Sequence, residues 1–319
     1  MVRYIKEEDV RRILTMPGTI ALMEQAFRDW AQGNATDVPR RRLRQPTGPF
    51  SMLMGAAPAL NVIGFKATYN RPTASSALVQ LYDQQRGNLI AMIECDWMGR
   101  MRTGATTGLA TRLLSRVDAS VVACFGTGRH GATQLEGVCA VRKIREVRAF
   151  GRNPERVAKF CDKMSHRLNV SVHPVVSPHE AISGAHIINV MTRAQTPVFD
   201  GKLLTPGQHV NAAGINAIDR REIDLETIRR SSAVVVDSRQ VAQNESGDLL
   251  PAFEAGLLQW ESLPDLGDIL LDRRAGRTSP DQITLFESHG MCIEDLYTGK
   301  HVLEVALREN IGTDLPIGE

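Results

Sequence analysis

Hydrophobic and polar positions follow one rhythm up to about residue 117 and another after it. In the first stretch Ile20, Met23, Phe27 and Trp30 recur at helical spacing, which predicts a helix over residues 15–34 with Thr15 as its N-cap. A basic, proline-bounded segment, VPRRRLRQP, occupies residues 38–46. Four strand-like runs follow at 50–57, 62–69, 77–82 and 89–93, parted by the turn residues Asn61, Arg71-Pro72 and Arg86-Gly87-Asn88. Short strands in succession without intervening helices predict an antiparallel or mixed sheet. A helix rich in Ala, Leu, Thr and Arg closes the stretch at 97–116.

From residue 118 apolar strand runs alternate with helical patterns. The strands fall at 120–125, 146–150, 170–175, 186–190, 208–213 and 233–237, with helices up to about 142 and over 154–168. This predicts an α/β fold, a Rossmann-type doubly wound parallel sheet. One more helix, 290–308, is expected to return to the first domain. The domains therefore read as 1–116 with 286–319, an α+β domain built from both chain ends, and 117–285, the dinucleotide-binding domain.

Composition narrows the classes. The 319 residues carry 38 Lys and Arg against 36 Asp and Glu, a net charge of +2, with 43% hydrophobic and 23% charged positions. General disorder and fibrous repeats are excluded, and the near-neutral balance argues against a dedicated nucleic-acid binder. The five cysteines form no C-x-x-C, so neither a disulfide framework nor a zinc site is expected, and a reducing, cytoplasmic setting is. No apolar run approaches the ~20 residues of a membrane helix, and the start, MVRYIKEEDVRR, has no apolar signal region.

The candidate chemistry begins at Gly126-Thr127-Gly128-Arg129-His130-Gly131, a G-x-G-x-x-G between an apolar strand and a helix. The first glycine allows a tight turn, the second lets the backbone approach a pyrophosphate, and the third allows close helix–strand packing. The helix N-terminus supplies N–H groups for the phosphates. A ribose-binding acid is expected about 20 residues on, but that position holds Gly151-Arg152-Asn153. An arginine there suits a 2′-phosphate, which favours NADP(H), with NAD(H) the alternative. Met191-Thr192 and Ala213-Gly214 follow strands, at the carboxyl ends where open α/β sheets bind ligands.

Taken with Gly126-Thr127-Gly128, several segments stand in a specific order: Met23-Glu24-Gln25-Ala26-Phe27, Gly64-Phe65-Lys66, Arg102-Thr103-Gly104-Ala105, Gly151-Arg152-Asn153-Pro154, GINAIDRREID from Gly214 to Asp224, Glu245-Ser246-Gly247-Asp248 and Ser288-His289-Gly290. Over nearly its whole length the chain resembles the ornithine cyclodeaminase/mu-crystallin family. The resemblance implies a homodimer, a Rossmann domain joined to a substrate and dimerisation domain, a nicotinamide cofactor and a small α-imino or α-amino acid substrate. It implies hydride transfer between the nicotinamide and the α-carbon. It gives Lys66 the substrate carboxylate or imine and a catalytic role, and Arg102 the bidentate carboxylate grip; the Arg-Thr-Gly-Ala match selects Arg102 over Arg100. Proline followed by arginine favours Arg40 as a third cation, while the triple arginine leaves Arg42 open. Ser288 and Gly290 resemble family residues near the nicotinamide.

Alternation puts Lys66 on one face with Gly64 and Thr68, the more polar face, so a solvated lysine is the competing reading. Asn216 stands where cyclodeaminases carry an acid, and Ile218 where they carry proline. An amide does not accept and return a proton at neutral pH, which favours net reduction or oxidation over loss of ammonia; Asp219 is the nearest acid. Asn216 joins Lys66 in the catalytic set. The leading reading is an NAD(P)H-dependent reductase of ketimines or cyclic imines, or an amino-acid dehydrogenase of the alanine type. The alternatives are a cyclodeaminase-type lyase with catalytic NAD+ and a non-enzymatic NADPH-binding protein. His289 reads as packing or capping, and His173, His179 and His186 as structural or exposed. Glu94 is the candidate buried partner for a cation, and Glu245 and Asp248 carry no assigned role.

Overall fold

The computed structural model describes residues 1–71 and 75–317, so Pro72 of the expected turn lies outside them. Strands β1 (Val2–Ile5), β2 (Thr36–Leu43), β3 (Phe50–Ala57), β4 (Val62–Asn70), β5 (Ser75–Asp83) and β6 (Leu89–Glu94) precede a long helix, Asp96–Leu114. Then come β7 (Val121–Phe125), β8 (Glu146–Phe150), β9 (Ser171–Pro174), β10 (Ile187–Val190), β11 (His209–Ala212), β12 (Ala233–Val236) and β13 (Thr284–Glu287). The helix Cys292–Arg308 and β14 (Thr313–Leu315) end the chain. Two compact units result: Met1–Arg102 with Gly290–Glu319, and Thr103–His289.

The first unit holds a seven-stranded sheet in the order β14-β1-β6-β5-β4-β3-β2. Pairing is antiparallel except between β1 and β6. One cross-strand row, Leu53, Lys66, Val79, Ile93 and Ile5, is buried throughout. The face that alternation marked as more polar is therefore the core face. It is covered by the helix Cys292–Arg308, which approaches closely because Gly55 and Gly64 pair beneath it. A Cβ on Gly64 would stand 2.3 Å from the Gln80 carbonyl oxygen and 3.1 Å from Leu296 Cδ2, and one on Gly55 would stand 3.3 Å from Cys292 Cβ. The basic segment proves to be the edge strand β2, with a register shift between Val38 and Arg41. An edge strand with a bulge is where Pro39, which lacks a donor, can be accommodated. Thr15 caps the helix Met16–Ala31 as expected, accepting from the Gly18 N–H.

The second unit is a parallel sheet in the order β12-β13-β11-β10-β7-β8-β9. Val121, Ala123 and Phe125 pack to one side of it and Val122 and Cys124 to the other, as a sheet covered on both faces requires. The chain passes from one unit to the other at 102/103 and 289/290, not at the expected 116/117 and 285/286. Glycines account for the first difference. A Cβ on Gly104 would lie 2.2 Å from the Thr133 carbonyl oxygen, and one on Gly137 2.0 Å from that of Gly104. Backbone contact thus joins the later part of the long helix to Arg129–Val141, the first helix of the parallel sheet. At the other end β13 inserts between β11 and β12 and holds the chain in this unit through Glu287. Among the described residues no helix is long and apolar enough to cross a membrane, and no group of three or more His, Cys, Asp or Glu could hold a metal ion.

A buried polar ladder crosses the sheet. His209 bonds Thr284 Oγ1 and Asn211 Oδ1, each at 2.9 Å, and Asn211 donates to Asn189 and Thr111. Burial pushes His209 down to about 3, against the support of Asn211. The unfolded chain takes up this proton near 6.5 and the folded chain near 3, so stability falls as pH drops through that window. His209→Gln is expected to flatten this acid limb: between pH 7 and pH 4.5 its Tm should fall less than that of the parent chain in calorimetry.

Candidate active site

Strand β4 carries Lys66 into the core, 9% exposed, where Nζ donates to Asp295 Oδ1 at 3.0 Å. Arg102, 5% exposed, lies 3.1 Å from Glu294 Oε2 through Nη1 and 3.4 Å from Asp295 Oδ1 through Nε. Both acids are fully buried. The solvated-lysine reading is thereby excluded. Glycines make room for both cations. A Cβ on Gly99 would stand 3.1 Å from Lys66 Nζ, and one on Gly290, where φ is +84°, would stand 2.6 Å from Arg102 Nη1. Arg100 is instead paired with Asp96 one turn back. Arg40 and Arg42 are both half-buried on β2, flanking the exposed Arg41.

The acids are fixed in turn. Glu294 Oε1 accepts the Met291 N–H at 2.6 Å, and Asp37 of β2 accepts the N–H groups of Cys292 and Ile293 at 2.6 and 3.1 Å. Burial pushes the Cys95 thiol up to about 12 and that of Cys292 well above its ordinary range, which disfavours the thiolate at both. Glu94, the candidate partner for a cation, instead accepts from Tyr4 Oη at 2.6 Å and from the Glu7 N–H at 2.8 Å. Sequence reasoning missed Asp37, Glu294 and Asp295. The available signal was a pair of acids inside the apolar first turn Cys292-Ile293-Glu294-Asp295-Leu296.

In the second unit the glycine turn separates three roles. A Cβ on Gly126 (φ +106°) would lie 2.1 Å from the Met191 carbonyl oxygen, and one on Gly131 2.1 Å from that of Gly126. A Cβ on Gly128 would meet nothing within 4 Å. The outer glycines thus serve packing, and the middle one borders open space at the start of the helix Arg129–Val141, as a pyrophosphate cradle requires. Arg129 and His130 are exposed beside it. Gly151 ends β8 near Thr127, Asn153 caps the next helix through the Arg156 N–H at 2.9 Å, and Arg152 is exposed.

Met191 and Thr192 follow β10, and Ala213 and Gly214 follow β11. Ser288 donates to Asp237 Oδ2 at 3.1 Å, and the buried His289 ring lies 3.5 Å from Asp237 and 3.6 Å from Glu287. Burial acts to lower the His289 pKa, but the two carboxylates outweigh it and raise it to about 10. The ring is thus fully enclosed between the two acids. Glu245 and Asp248 are buried, and Asp248 accepts the N–H groups of Glu222 and Ile223. Asn216 is exposed on the segment after β11.

A model of the ornithine cyclodeaminase/mu-crystallin family matches residues 3–310. The chain belongs to that family. A Δ1-pyrroline-2-carboxylate reductase of Bacillus cereus is 34% identical over 238 residues, 74% of this chain and 73% of the relative. The solved Thermococcus litoralis Δ1-pyrroline-2-carboxylate reductase, in complex with NADH and L-proline, superposes with a TM-score of 0.94 at 30% identity, covering 98% of this chain and all of that one. An archaeal alanine dehydrogenase dimer with bound NAD gives 0.93 at 26%, covering 99% of each.

The ion pair predicts its own thermodynamics. Removing one member of a buried pair costs on the order of 3–5 kcal/mol because the other charge is left uncompensated. Lys66→Met and Asp295→Asn should each destabilise on that scale. The double variant should cost at least ~1 kcal/mol less than the sum of the two, read from urea unfolding midpoints.

Proposed function

We propose that this chain is an NAD(P)H-dependent oxidoreductase acting on the C–N bond of a small imino or amino acid, with a five-membered cyclic imino acid of the Δ1-pyrroline-2-carboxylate type as substrate. The observation that carries the reading is the pair of buried cations, Lys66 and Arg102, held in place by buried acids, in a chain whose relatives include reductases of that acid. Reduction of C=N to CH–NH takes a hydride at carbon, which the reduced nicotinamide supplies when bound, and a proton at nitrogen. Arg102 grips the carboxylate with its planar guanidinium and so fixes the orientation of the α-carbon. Lys66 holds at Nζ the proton destined for the nitrogen, and Arg40 adds a third positive group. Asn216 hydrogen-bonds the substrate nitrogen or the cofactor carboxamide. Its amide, in the place of an acid, supports net reduction over deamination.

The glycine turn, Met191, Thr192, Ala213, Gly214 and Ser288 hold the dinucleotide. Gly290 serves by leaving room for the Arg102 guanidinium. Arg152 makes no hydrogen bond or ion pair to any described residue, which leaves it available to a 2′-phosphate and supports NADP(H). A second copy of the chain covers the outer face of the first sheet. There a cross-strand row of Met54, Phe65, Gln80, Met92 and Tyr4 is only half-buried, and Ile63 is 46% exposed. Sedimentation at the mass of one chain would overturn this assembly.

Mixed with NAD(P)H, the protein should bleach the reduced-nicotinamide absorbance when Δ1-pyrroline-2-carboxylate is added, and should release no ammonia from L-ornithine. Arg102→Ala should lower kcat/KM roughly 100-fold or more while cofactor affinity stays within twofold. No turnover with this acid, with other cyclic imino acids or with pyruvate plus ammonia sinks the assignment. For cofactor choice, Arg152→Ala should weaken NADPH roughly tenfold or more and NADH under threefold, measured by fluorescence titration. Equal losses would show that Arg152 is not the phosphate contact.

A further inference from the structure

Two buried acids in the second unit have no part in the chemistry above, yet they sit where the strands end. Glu222 is fully buried, with Oε1 accepting the Thr192 N–H and Oε2 accepting the Gly214 N–H at 2.7 Å. Thr192 lies just past β10 and Gly214 just past β11. One carboxylate therefore ties together the ends of two adjacent parallel strands, at the edge where open α/β sheets take their ligands. The contact continues backbone to backbone. A Cβ on Gly214 would stand 2.4 Å from the Thr192 nitrogen and 2.5 Å from Glu222 Oε2, and the Cβ of Gly126 would meet the Met191 carbonyl oxygen. The turns after β7, β10 and β11 thus form one continuous row, closed by Glu222.

Glu222 is itself anchored. Asp248 Oδ1 accepts the N–H groups of Glu222 at 2.6 Å and Ile223 at 2.9 Å. Gly247 is pressed against the Arg220 carbonyl oxygen, 1.9 Å from where a Cβ would be. Ser246 donates to Glu287 Oε1 at 2.9 Å, which extends the anchor to the end of β13. The geometry of a strut is present: two joined ends, a rigid link and a fixed base.

We propose that Glu222 is a positioning residue for the nicotinamide end of the dinucleotide, acting through the backbone of Thr192 and Gly214. The proposal rests on the reading of this unit as the cofactor domain. A carboxylate offers an acceptor to each N–H. A glutamine offers one acceptor and one donor, so Glu222→Gln sets an N–H against one of the two strand ends. The adenine half of the ligand lies at the Gly126–Gly131 turn and β8, to which Glu222 makes no hydrogen bond among the described residues, so the link bears on it only indirectly. Burial, opposed by the same N–H bonds, pushes Glu222 up to about 7, in keeping with a dry wall and not a solvent-lined loop.

The test separates the two halves of the ligand. Calorimetric titration measures the reduced dinucleotide that binds the parent chain more tightly, NADPH or NADH, and its fragment, 2′-phospho-ADP-ribose or ADP-ribose. Glu222→Gln should bind the fragment within twofold of the parent and the whole dinucleotide tenfold or more weakly. Unchanged dinucleotide affinity overturns the proposal, and so does an equal loss for fragment and dinucleotide. If the parent chain binds neither ligand, it is the cofactor reading that fails. Should the variant not fold, amide hydrogen exchange on the ligand-free parent chain decides: the Thr192 and Gly214 amides should be protected, and rapid exchange at both overturns the link.

Discussion

Four opposite charges buried together under one helix set the terms for the first unit. Lys66, Arg102, Glu294 and Asp295 are each at least nine-tenths buried, and any one alone would carry a desolvation cost of several kcal/mol. As a set they are neutral and hydrogen-bonded. The two acids also occupy the first turn of Cys292–Arg308, where a carboxylate is favoured by the helix dipole. The glycines follow from the same constraint: Gly55 and Gly64 bring the helix down onto the sheet, and Gly99 and Gly290 leave volume for the cationic heads. Such cations are aimed before any ligand arrives. A carboxylate that meets them pays little reorganisation, the condition under which fixed charges assist a reaction most.

The sequence made the cations legible and hid their partners, and period-2 alternation explains both. It assigned Lys66, Gly64 and Thr68 to one face correctly. It then ranked that face by polarity, although a glycine there signals a covering element and not water. The acids lie on a helix whose first turn is buried all round, so no polar stripe marked them. Glu94, the acid expected to partner a cation, is engaged by Tyr4 and the Glu7 N–H instead. The second unit was legible because its strands are continuous apolar runs. The pieces missed, β1, β13 and β14, are three or four residues long and lie outside the strand–helix alternation that made the equally short β9 to β12 legible. The basic segment hid β2 because Pro39 argues against a strand everywhere except at an edge bulge.

Acids recur in the second unit with a different duty. Glu222 and Asp248 neutralise no cation; they accept backbone N–H groups. Asp237 accepts from Ser238, Ser288 and His289, at the point where the chain leaves β13. In both units carboxylates stand behind the groups that would meet a ligand. Their positions cannot drift without breaking several bonds at once, because the bonds they make lie in a dry setting where an unmade bond costs the full desolvation of the group.

That distribution bears on Asn216. The acids at 222, 237 and 248 are buried and tied to backbone, and the buried Glu287 holds the Ser246 hydroxyl, so replacing any of them disturbs the framework. Position 216 is exposed. An amide there, where cyclodeaminases carry an acid, cannot accept and return a proton at neutral pH. On the proposed reading, the scaffold keeps what a reductase needs, cations for an organic acid and a dinucleotide cradle, and carries an amide where deamination would call for an acid.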